Sequence, residues 1–383
     1  MTLSTNMKNM EKGVIIMRRA GMFKTGCLAL LLGTFMVLIP VGYAFAVVSG
    51  ACVNCHTMHN SQDNAVMANY GQSVSGSTGP NSVLTRGTCV GCHAQGGASN
   101  VVTLGGSKIP QVYHTSSTDL AGGNFGYINY LGSSKGTGAS VAKGHNVYAA
   151  MSSVLAQDIL AAPPGDEFTT GITNANFTCA GQNGCHGDRS VANELSSIKY
   201  AHHSSDSEID GTTVAKSYRF LLGVKGVENN DATYGWQNLS ATYTNKYQGA
   251  IAPASDASAT SPGTGGTMSG FCSECHGTFH GSGANGHGES GAWIRHPTDI
   301  LLPTTAPYSS YDPTTTYDAT VPVAYTDPSA PTRATAVVMC LSCHGVHGTD
   351  YADILRWDYS KMLAGAGGAY SGTGCFKCHS DKD

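Results

Sequence analysis

Ten of the thirteen cysteines form five copies of one short pattern, in which two cysteines are separated by two residues and followed directly by a histidine. The copies are Cys52/Cys55/His56, Cys89/Cys92/His93, Cys272/Cys275/His276, Cys340/Cys343/His344 and Cys375/Cys378/His379. This Cys-x-x-Cys-His spacing is the attachment signal of c-type haem. Two intervening residues let one helical turn present both thiols to the vinyl groups on one edge of the porphyrin. The histidine that follows then directs its imidazole to the iron.

Three other uses of paired cysteines fit this pattern less well. Zinc sites pair Cys-x-x-Cys units two by two and do not require a histidine after each one. A thioredoxin-like motif needs one pair beside a βαβ pattern, which this chain lacks. A disulfide framework is common in exported proteins. Histidine is 15 of 383 residues, so five pairs each followed by histidine would arise by chance about once in ten million.

The other two cysteines outside the N-terminal segment form a site with wider spacing. Five residues separate Cys179 from Cys185, and His186 follows directly. A small disulfide loop is one explanation. We favour a sixth haem site, because the terminal Cys-His pair is intact and Gly181 and Gly184 tolerate positive φ, which lets the extra residues loop out. The sequence therefore predicts six covalently attached haem c groups.

The chain contains enough further histidines to bind the other side of every iron. With six proximal histidines assigned, nine remain. Eight are candidate distal ligands: His59, His114, His145, His202, His203, His280, His296 and His347. His287 lies in a glycine-rich loop and is expected to face solvent. Methionine can also be an axial ligand, but the surplus of histidine favours bis-histidine coordination and low-potential haems.

Position along the chain separates these candidates. His59 and His347 follow a proximal histidine by three residues, and His280 follows one by four. Each lies beside the proximal ligand of its own porphyrin and can reach only a neighbouring haem, so closely stacked haems are expected. His145 precedes a segment of apolar helical periodicity, and His296 is fixed by the proline that follows it. Both have the features of dedicated ligands.

The N-terminal segment has the features of an export signal. Basic residues between positions 18 and 24 precede an apolar stretch at 26–43 and an Ala-Phe-Ala cleavage site at 44–46. We expect residues 1–46 to be a signal peptide, with 1–16 a candidate extension, and residues 47–383 to be one mature hexahaem unit. A retained membrane anchor is the alternative. Cleavage removes five basic residues and one acidic residue, so the net charge changes from −4 to −8. No nucleic-acid partner is expected.

The length of the mature chain limits the fold. It provides about 56 residues per haem, which is too few to bury six large cofactors in a regular α or β fold. We therefore predict a coil-rich multihaem cytochrome c with short helices at the attachment sites, little β structure and the haem stack as its core. Residues 334–339 are predicted to form a short strand. A weaker candidate strand at 319–325 would be confined to a sheet edge by Pro322.

Several short motifs occur in the order found in a known family. They are Cys55-His56-Thr57-Met58-His59-Asn60-Ser61, Lys143-Gly144-His145-Asn146, Arg295-His296-Pro297, Cys340-Leu341-Ser342-Cys343-His344 and Cys378-His379. With six attachment sites, the chain resembles the extracellular hexahaem c-type cytochromes of the filament-forming, OmcS-like nanowire family. The resemblance implies electron transfer to acceptors outside the cell, other multihaem cytochromes as partners, and no catalytic residues. It also implies that His59 crosses to the next subunit, where the candidate recipient is the haem held by His344.

The site at Cys179 and His186 departs from the family pattern. Its spacing is longer, and no histidine follows three residues later. Its iron would then need His202 or His203 as the distal ligand. A helical face shared with Val191 slightly favours His202, and the choice stays open.

Two other functions remain possible on the sequence. The first is a discrete periplasmic or outer-membrane-associated electron carrier. The second is a multihaem reductase, which needs one iron with an open position and acid–base groups nearby. All six sites end in histidine and distal histidine is in surplus, so the reductase is less favoured.

Overall fold

A computed structural model describes residues 48–67, 80, 82–95, 97–128, 135–138, 140–147, 162–165, 171–173, 175–204, 208–228, 245–251, 266–280, 296–365 and 367–382. The predicted signal peptide and His287 lie outside these residues. Residues 46–383 form one compact unit. Within the described ranges, none of the helices combines the length and the apolar character needed to cross a bilayer.

The helices are short and most attachment motifs begin one. The α-helices are α1 (Cys89–His93), α2 (Glu194–Ser197) and α3 (Met268–Ser273). The 3₁₀ turns are Cys52–Asn54, Phe125–Tyr127, Val141–Lys143, Ala201–His203, Tyr218–Phe220, Gly277–Phe279, Arg333–Thr335, Cys340–Ser342, Ala352–Ile354, Tyr359–Lys361, Gly374–Lys377 and Ser380–Lys382. The predicted short helices are therefore confirmed at every Cys-x-x-Cys-His motif. The wider-spaced motif at 179–186 is instead made of turns and isolated bridges.

In the described residues, nine short strands form three sheets, of which two are antiparallel and one is mixed. They are β1 (Ser61–Gln62), β2 (Ala65–Val66), β3 (Val101–Leu104), β4 (Ser107–Pro110), β5 (Gly226–Val227), β6 (Lys246–Gln248), β7 (Ile300–Leu301), β8 (Ala324–Tyr325) and β9 (Ala336–Val338). β1 pairs with β2 and β3 with β4 as hairpins. The other five have the order β5-β6-β8-β9-β7, in which only β6 and β8 are parallel.

The largest sheet corrects one prediction and confirms another. β9 lies within the predicted strand at 334–339 and leads directly to Cys340. β8 lies within the candidate strand at 319–325, but it is paired on both sides and is not an edge strand. Pro322 precedes β8 by two residues, so its missing N–H interrupts no ladder hydrogen bond. The proline therefore limits the length of the strand and not its place in the sheet.

The buried apolar side chains of the described residues form three separate clusters. One surrounds Ile128, a second surrounds Met339 and a third surrounds Val323. Cys179 packs against the first cluster, Cys185 against the second and Cys378 against the third. Each small cluster thus borders a haem-attachment thiol, as expected for a chain that wraps around its cofactors.

Candidate haem-binding sites

A shared main-chain geometry forms the attachment loops. At the motif beginning with Cys52, the N–H groups of Cys55 and His56 both donate to the carbonyl oxygen of Cys52, at 3.1 and 2.8 Å. The motifs beginning at Cys272, Cys340 and Cys375 repeat both bonds, at 2.9–3.2 Å. One tight turn therefore holds two thiols and an imidazole at fixed relative positions, which is the arrangement that two-point attachment and iron ligation require.

The wider-spaced motif reaches the same geometry. The N–H groups of Cys185 and His186 donate to the carbonyl oxygen of Cys179, at 3.2 and 3.0 Å. The extra residues loop out, as predicted, with Gly181 at φ 78°. Gly184 is required for a different reason, because a Cβ there would lie 2.4 Å from the main-chain nitrogen of Ala180. The motif can therefore present its thiols and imidazole like the other sites.

Five of the six proximal histidines face a second histidine. The ring centroids of the pairs are 6.1 Å apart for His56 and His203, 6.3 Å for His93 and His202, 6.3 Å for His186 and His347, 6.0 Å for His276 and His145, and 6.1 Å for His379 and His296. A metal–imidazole bond is about 2.0 Å and a ring centroid lies about 1.1 Å beyond the nitrogen, so two imidazoles sharing one ion have centroids about 6.2 Å apart. The observed spacing fits one iron between each pair.

Hydrogen bonds to main-chain carbonyls select the nitrogen that is left for iron. In six histidines Nδ1 lies 2.6–3.0 Å from a carbonyl oxygen: His93 on Pro110, His145 on Val346, His186 on Arg219, His276 on Pro164, His296 on Pro297 and His344 on Asp353. A carbonyl accepts only from a protonated Nδ1, which leaves Nε2 as the ligand atom. Sequence reasoning missed these acceptors, because any residue can provide a carbonyl.

Neighbouring aromatic rings orient several of the same imidazoles. Phe125 lies against His347, with ring centroids 5.0 Å apart. Phe220 lies 5.2 Å from His202, and Tyr308 meets the ring of His379 edge-on at 4.9 Å. Packed rings of this kind restrict the rotation of an imidazole and so hold its nitrogen toward one point.

Burial keeps these imidazoles neutral, which is the form that binds iron. Burial, assisted by neighbouring histidines, lowers the pKa of His145 and of His202 to about 4 and that of His347 to about 3. Burial also lowers the pKa of His93 and His186. At neutral pH these side chains need no deprotonation before they bind a metal.

The structure differs from the predicted distal ligand at the wider-spaced site. His186 faces His347 and neither His202 nor His203. Those two adjacent residues face two different proximal histidines, so the choice between them does not arise. The 3₁₀ turn Ala201–His203 directs successive side chains in different directions, which one shared helical face could not indicate.

Two predicted distal ligands lie in other contacts. His114 is fully buried, with Nε2 3.4 Å from Oδ1 of Asp119. His280 is also buried, with Nε2 2.8 Å from Oδ2 of Asp299. Neither ring forms one of the histidine pairs. Both follow the pattern of a histidine held by a carboxylate, so this arrangement does not place them on iron.

The fifth attachment site differs from the other five in its histidines. In the described part of the chain, no histidine ring pairs with that of His344, whose Nδ1 lies 2.9 Å from the carbonyl oxygen of Asp353. His59 is exposed and lies just before the β1–β2 hairpin, with φ 54°. The chain therefore presents five intramolecular histidine pairs and one site with a single assigned histidine.

Thiols of consecutive sites approach one another along the chain. The pKa of Cys179 and that of Cys272 are raised, first by hydrogen bonds with Cys89 and Cys340 respectively. Burial raises the pKa of Cys92 to about 11, and the thiol of Cys55 in the preceding site raises it further. Burial likewise raises the pKa of Cys185 to about 11, with a contribution from Cys275 in the next site. Burial raises the pKa of Cys343 to about 12, with a contribution from Cys375 in the next site. Each site therefore interacts electrostatically or by a hydrogen bond with the next site in sequence order.

Replacing His347 separates its role from that of His114. We expect His347→Ala to leave one iron of the protein without a distal ligand, so that a high-spin ferric signal appears and carbon monoxide binds to one haem. His114→Ala should leave every haem low-spin. Electron paramagnetic resonance and carbon monoxide difference spectra distinguish these results. A fully low-spin His347→Ala protein, or an opened iron in His114→Ala, would show that the pairing is wrong.

Repeated thiol loops and facing histidines define a multihaem c-type cytochrome. A family model described as "Doubled CXXCH motif" matches residues 333–383. The chain is 26% identical, over 402 aligned residues, to the C-type cytochrome OmcS of Geobacter sulfurreducens, with 88% of this chain and 87% of that protein covered. This chain is therefore similar to the cytochrome OmcS over most of its length.

Two solved structures are also similar to this chain. They are the Outer Membrane Cytochrome S filament and the OmcS nanowires from the same organism, each with a TM-score of 0.40. Sequence identity to them is 17% and 18%, and each alignment covers 83% of this chain and 86% of the other.

Proposed function

We propose that this protein carries electrons through six covalently attached haems and has no substrate site of its own. The observation that carries the proposal is the set of five histidine pairs at 6.0–6.3 Å, each containing one proximal histidine. Bound haem supplies reversible one-electron chemistry. Two imidazoles on one iron leave no position for a substrate, so these sites suit electron transfer and not catalysis.

The residues of the chain provide what an electron carrier needs. Paired thiols would attach each haem, and neutral imidazoles would bind its iron, which would supply the one-electron chemistry. Contacts between thiols of consecutive sites, such as Cys89 with Cys179, bring neighbouring cofactors together. An uninterrupted series of six sites supports transfer of electrons from one end of the subunit to the other.

Assembly into a filament would complete the fifth site. His59 is exposed beside a two-stranded hairpin, and Met58 next to it is 68% exposed. We infer that His59 of one subunit binds the iron held by His344 of the next. This head-to-tail contact is heterologous and therefore propagates into a filament unless it closes a ring. OmcS, to which this chain is similar, forms filaments.

An export signal and an acidic mature chain support a location outside the cytoplasm. Covalent haem attachment requires thiols that are not consumed by disulfides, and none of the twelve described cysteines is in a disulfide. We propose that residues 1–46 direct export and are removed, and that the mature protein works at the cell surface or beyond it. Electrons would then pass to external acceptors or to other multihaem cytochromes.

The fifth site also favours a second candidate function. In an isolated subunit, an iron at His344 would have one assigned histidine ligand. Such an iron can bind small ligands, which is a requirement of a multihaem reductase. A discrete carrier with a non-histidine sixth ligand is the related alternative. Carbon monoxide binding to the assembled protein tests both, because a filament with every iron capped should bind none.

Haem stoichiometry provides the test of the proposed function. We expect the intact mass of the mature protein to correspond to residues 47–383 with six haem c groups. The site at Cys179 and Cys185 is included, because its main-chain geometry matches that of the regular motifs. A mass that fits five haems and one disulfide would exclude this site and break the proposed series in its middle.

A further inference from the structure

Arg356 holds the attachment loop of the fifth site from two directions. Its main-chain N–H donates to the carbonyl oxygen of Cys343 at 2.8 Å, and its Nε donates to that of Leu341, also at 2.8 Å. Both acceptors belong to the Cys340–His344 motif. A third bond, from Nη2 to the carbonyl oxygen of Ala121 at 3.0 Å, fixes the outer end of the guanidinium. The position of the charge relative to this motif is therefore fixed.

The segment before Arg356 has a strained main-chain conformation and contacts the same site. Asp353 and Ile354 have φ values of 57° and 50°, which are unfavourable for residues with a Cβ. Two such residues in succession persist only where their surroundings determine the conformation. Here the carbonyl oxygen of Asp353 lies 2.9 Å from Nδ1 of His344, and that of Ile354 accepts the N–H of Gly345 at 2.9 Å. This chain segment wraps the proximal ligand and delivers Arg356 beside it.

The charge of Arg356 is not neutralised by an acidic residue in the described chain. Arg189 pairs with Glu274 and Arg219 with Glu228, whereas no described carboxylate forms an ion pair with Arg356. Burial lowers the pKa of Arg356, which interacts electrostatically with Tyr247, Tyr317, Cys343 and the proximal His344. An arginine remains protonated at physiological pH even so. The fifth site therefore has a fixed positive charge beside it.

We propose that Arg356 raises the reduction potential of the fifth haem site. This inference rests on the proposed function, in which His344 binds a haem iron. Reduction adds one electron and lowers the charge at the iron by one unit, so a nearby cation stabilises the reduced form more than the oxidised form. The effect is largest where water is excluded. A higher potential would favour an electron at the fifth site, which lies at the proposed subunit junction, before it passes to the next subunit.

Redox titration of charge variants of the holoprotein tests this role. The variants are Arg356→Met, which removes the charge, Arg356→Lys, which keeps it, and Lys361→Met, which removes a charge from an exposed neighbouring position. We expect about one sixth of the haem absorbance change in Arg356→Met to move to lower potential, because one site of six is affected. Arg356→Lys and Lys361→Met should titrate like the parent.

Two results would overturn the proposal. One is an Arg356→Met protein that has six haems and titrates like the parent. The other is an equal shift in Arg356→Lys, which would assign the effect to the lost hydrogen bonds and not to the charge. If Arg356→Met does not mature, Arg356→Gln compared with Arg356→Lys gives the same contrast. A protein with fewer than six haems before any substitution would instead contradict the proposed function, so the two failures are distinguishable.

Discussion

Replacing His59 with alanine should abolish long filaments while all six haems remain attached. The imidazole of His59 is not part of any attachment motif, so covalent maturation does not depend on it. Its loss removes the ligand that we propose joins each subunit to the next. One iron per subunit, the one held by His344, should then bind carbon monoxide or cyanide. Electron microscopy, intact mass and ligand-difference spectra measure the three consequences on one preparation.

Two controls make this prediction specific. Asp63→Asn changes an exposed residue in the turn of the same hairpin and keeps a side chain that tolerates its φ of 50°, so filaments should form normally. Added imidazole should restore a fully low-spin spectrum in His59→Ala without restoring filaments, because free imidazole binds iron but cannot join subunits. Normal filaments with six low-spin haems in His59→Ala would contradict the cross-subunit ligand.

The chain without haem should not fold at all. Its buried apolar side chains form three small clusters in the described residues, each bordered by an attachment thiol. Ligation of one structural metal ion contributes about 10 kcal/mol or more. That is comparable with the whole stability of an ordinary domain, about 5–15 kcal/mol. Loss of six ligated cofactors should therefore exceed any stability that the apolar clusters and short strands provide.

Expression of the exported chain in a host without haem maturation tests this expectation. The product should be degraded, or should show the circular dichroism and protease sensitivity of a disordered chain. The variant Cys375→Ser/Cys378→Ser, which lacks only the sixth attachment site, provides an intermediate case between the holoprotein and the chain without haem. It should lose order around β7–β9 before the rest, because Cys378 packs against the apolar cluster of that region. A protease-resistant apo-protein would contradict a fold built around its haems.

The attachment sites could be predicted from the sequence because their chemistry is local. A Cys-x-x-Cys-His motif spans only five residues, and the structure forms a short helix or helical turn at each such motif. Even the wide site at Cys179 could be interpreted, since its intact Cys-His end and its glycines are local features. The coil-rich fold followed from the small number of residues available for each cofactor.

The distal partners could not be derived in the same way. His347 meets His186 across 161 positions of sequence, and nothing near either residue indicates the other. Helical periodicity favoured His202 over His203, but a 3₁₀ turn places each of them opposite a different proximal histidine. The carboxylate that contacts His280 belongs to Asp299, 19 residues later in the chain, and nothing near His280 indicates it. Of the five-stranded sheet, only β8 and β9 lie within predicted strands, because the other strands contain two or three residues each, too few for a recognisable alternation.

Electron cryomicroscopy of the purified holoprotein is the most direct test of the central claim that facing histidines hold a continuous series of haems across subunits. We predict filaments with six haems per subunit. Five irons should be bound by the histidine pairs of one chain, and the iron at His344 by His59 of the neighbouring subunit. Monomers with an uncapped fifth iron, or a map that places His114 or His280 on an iron, would contradict it.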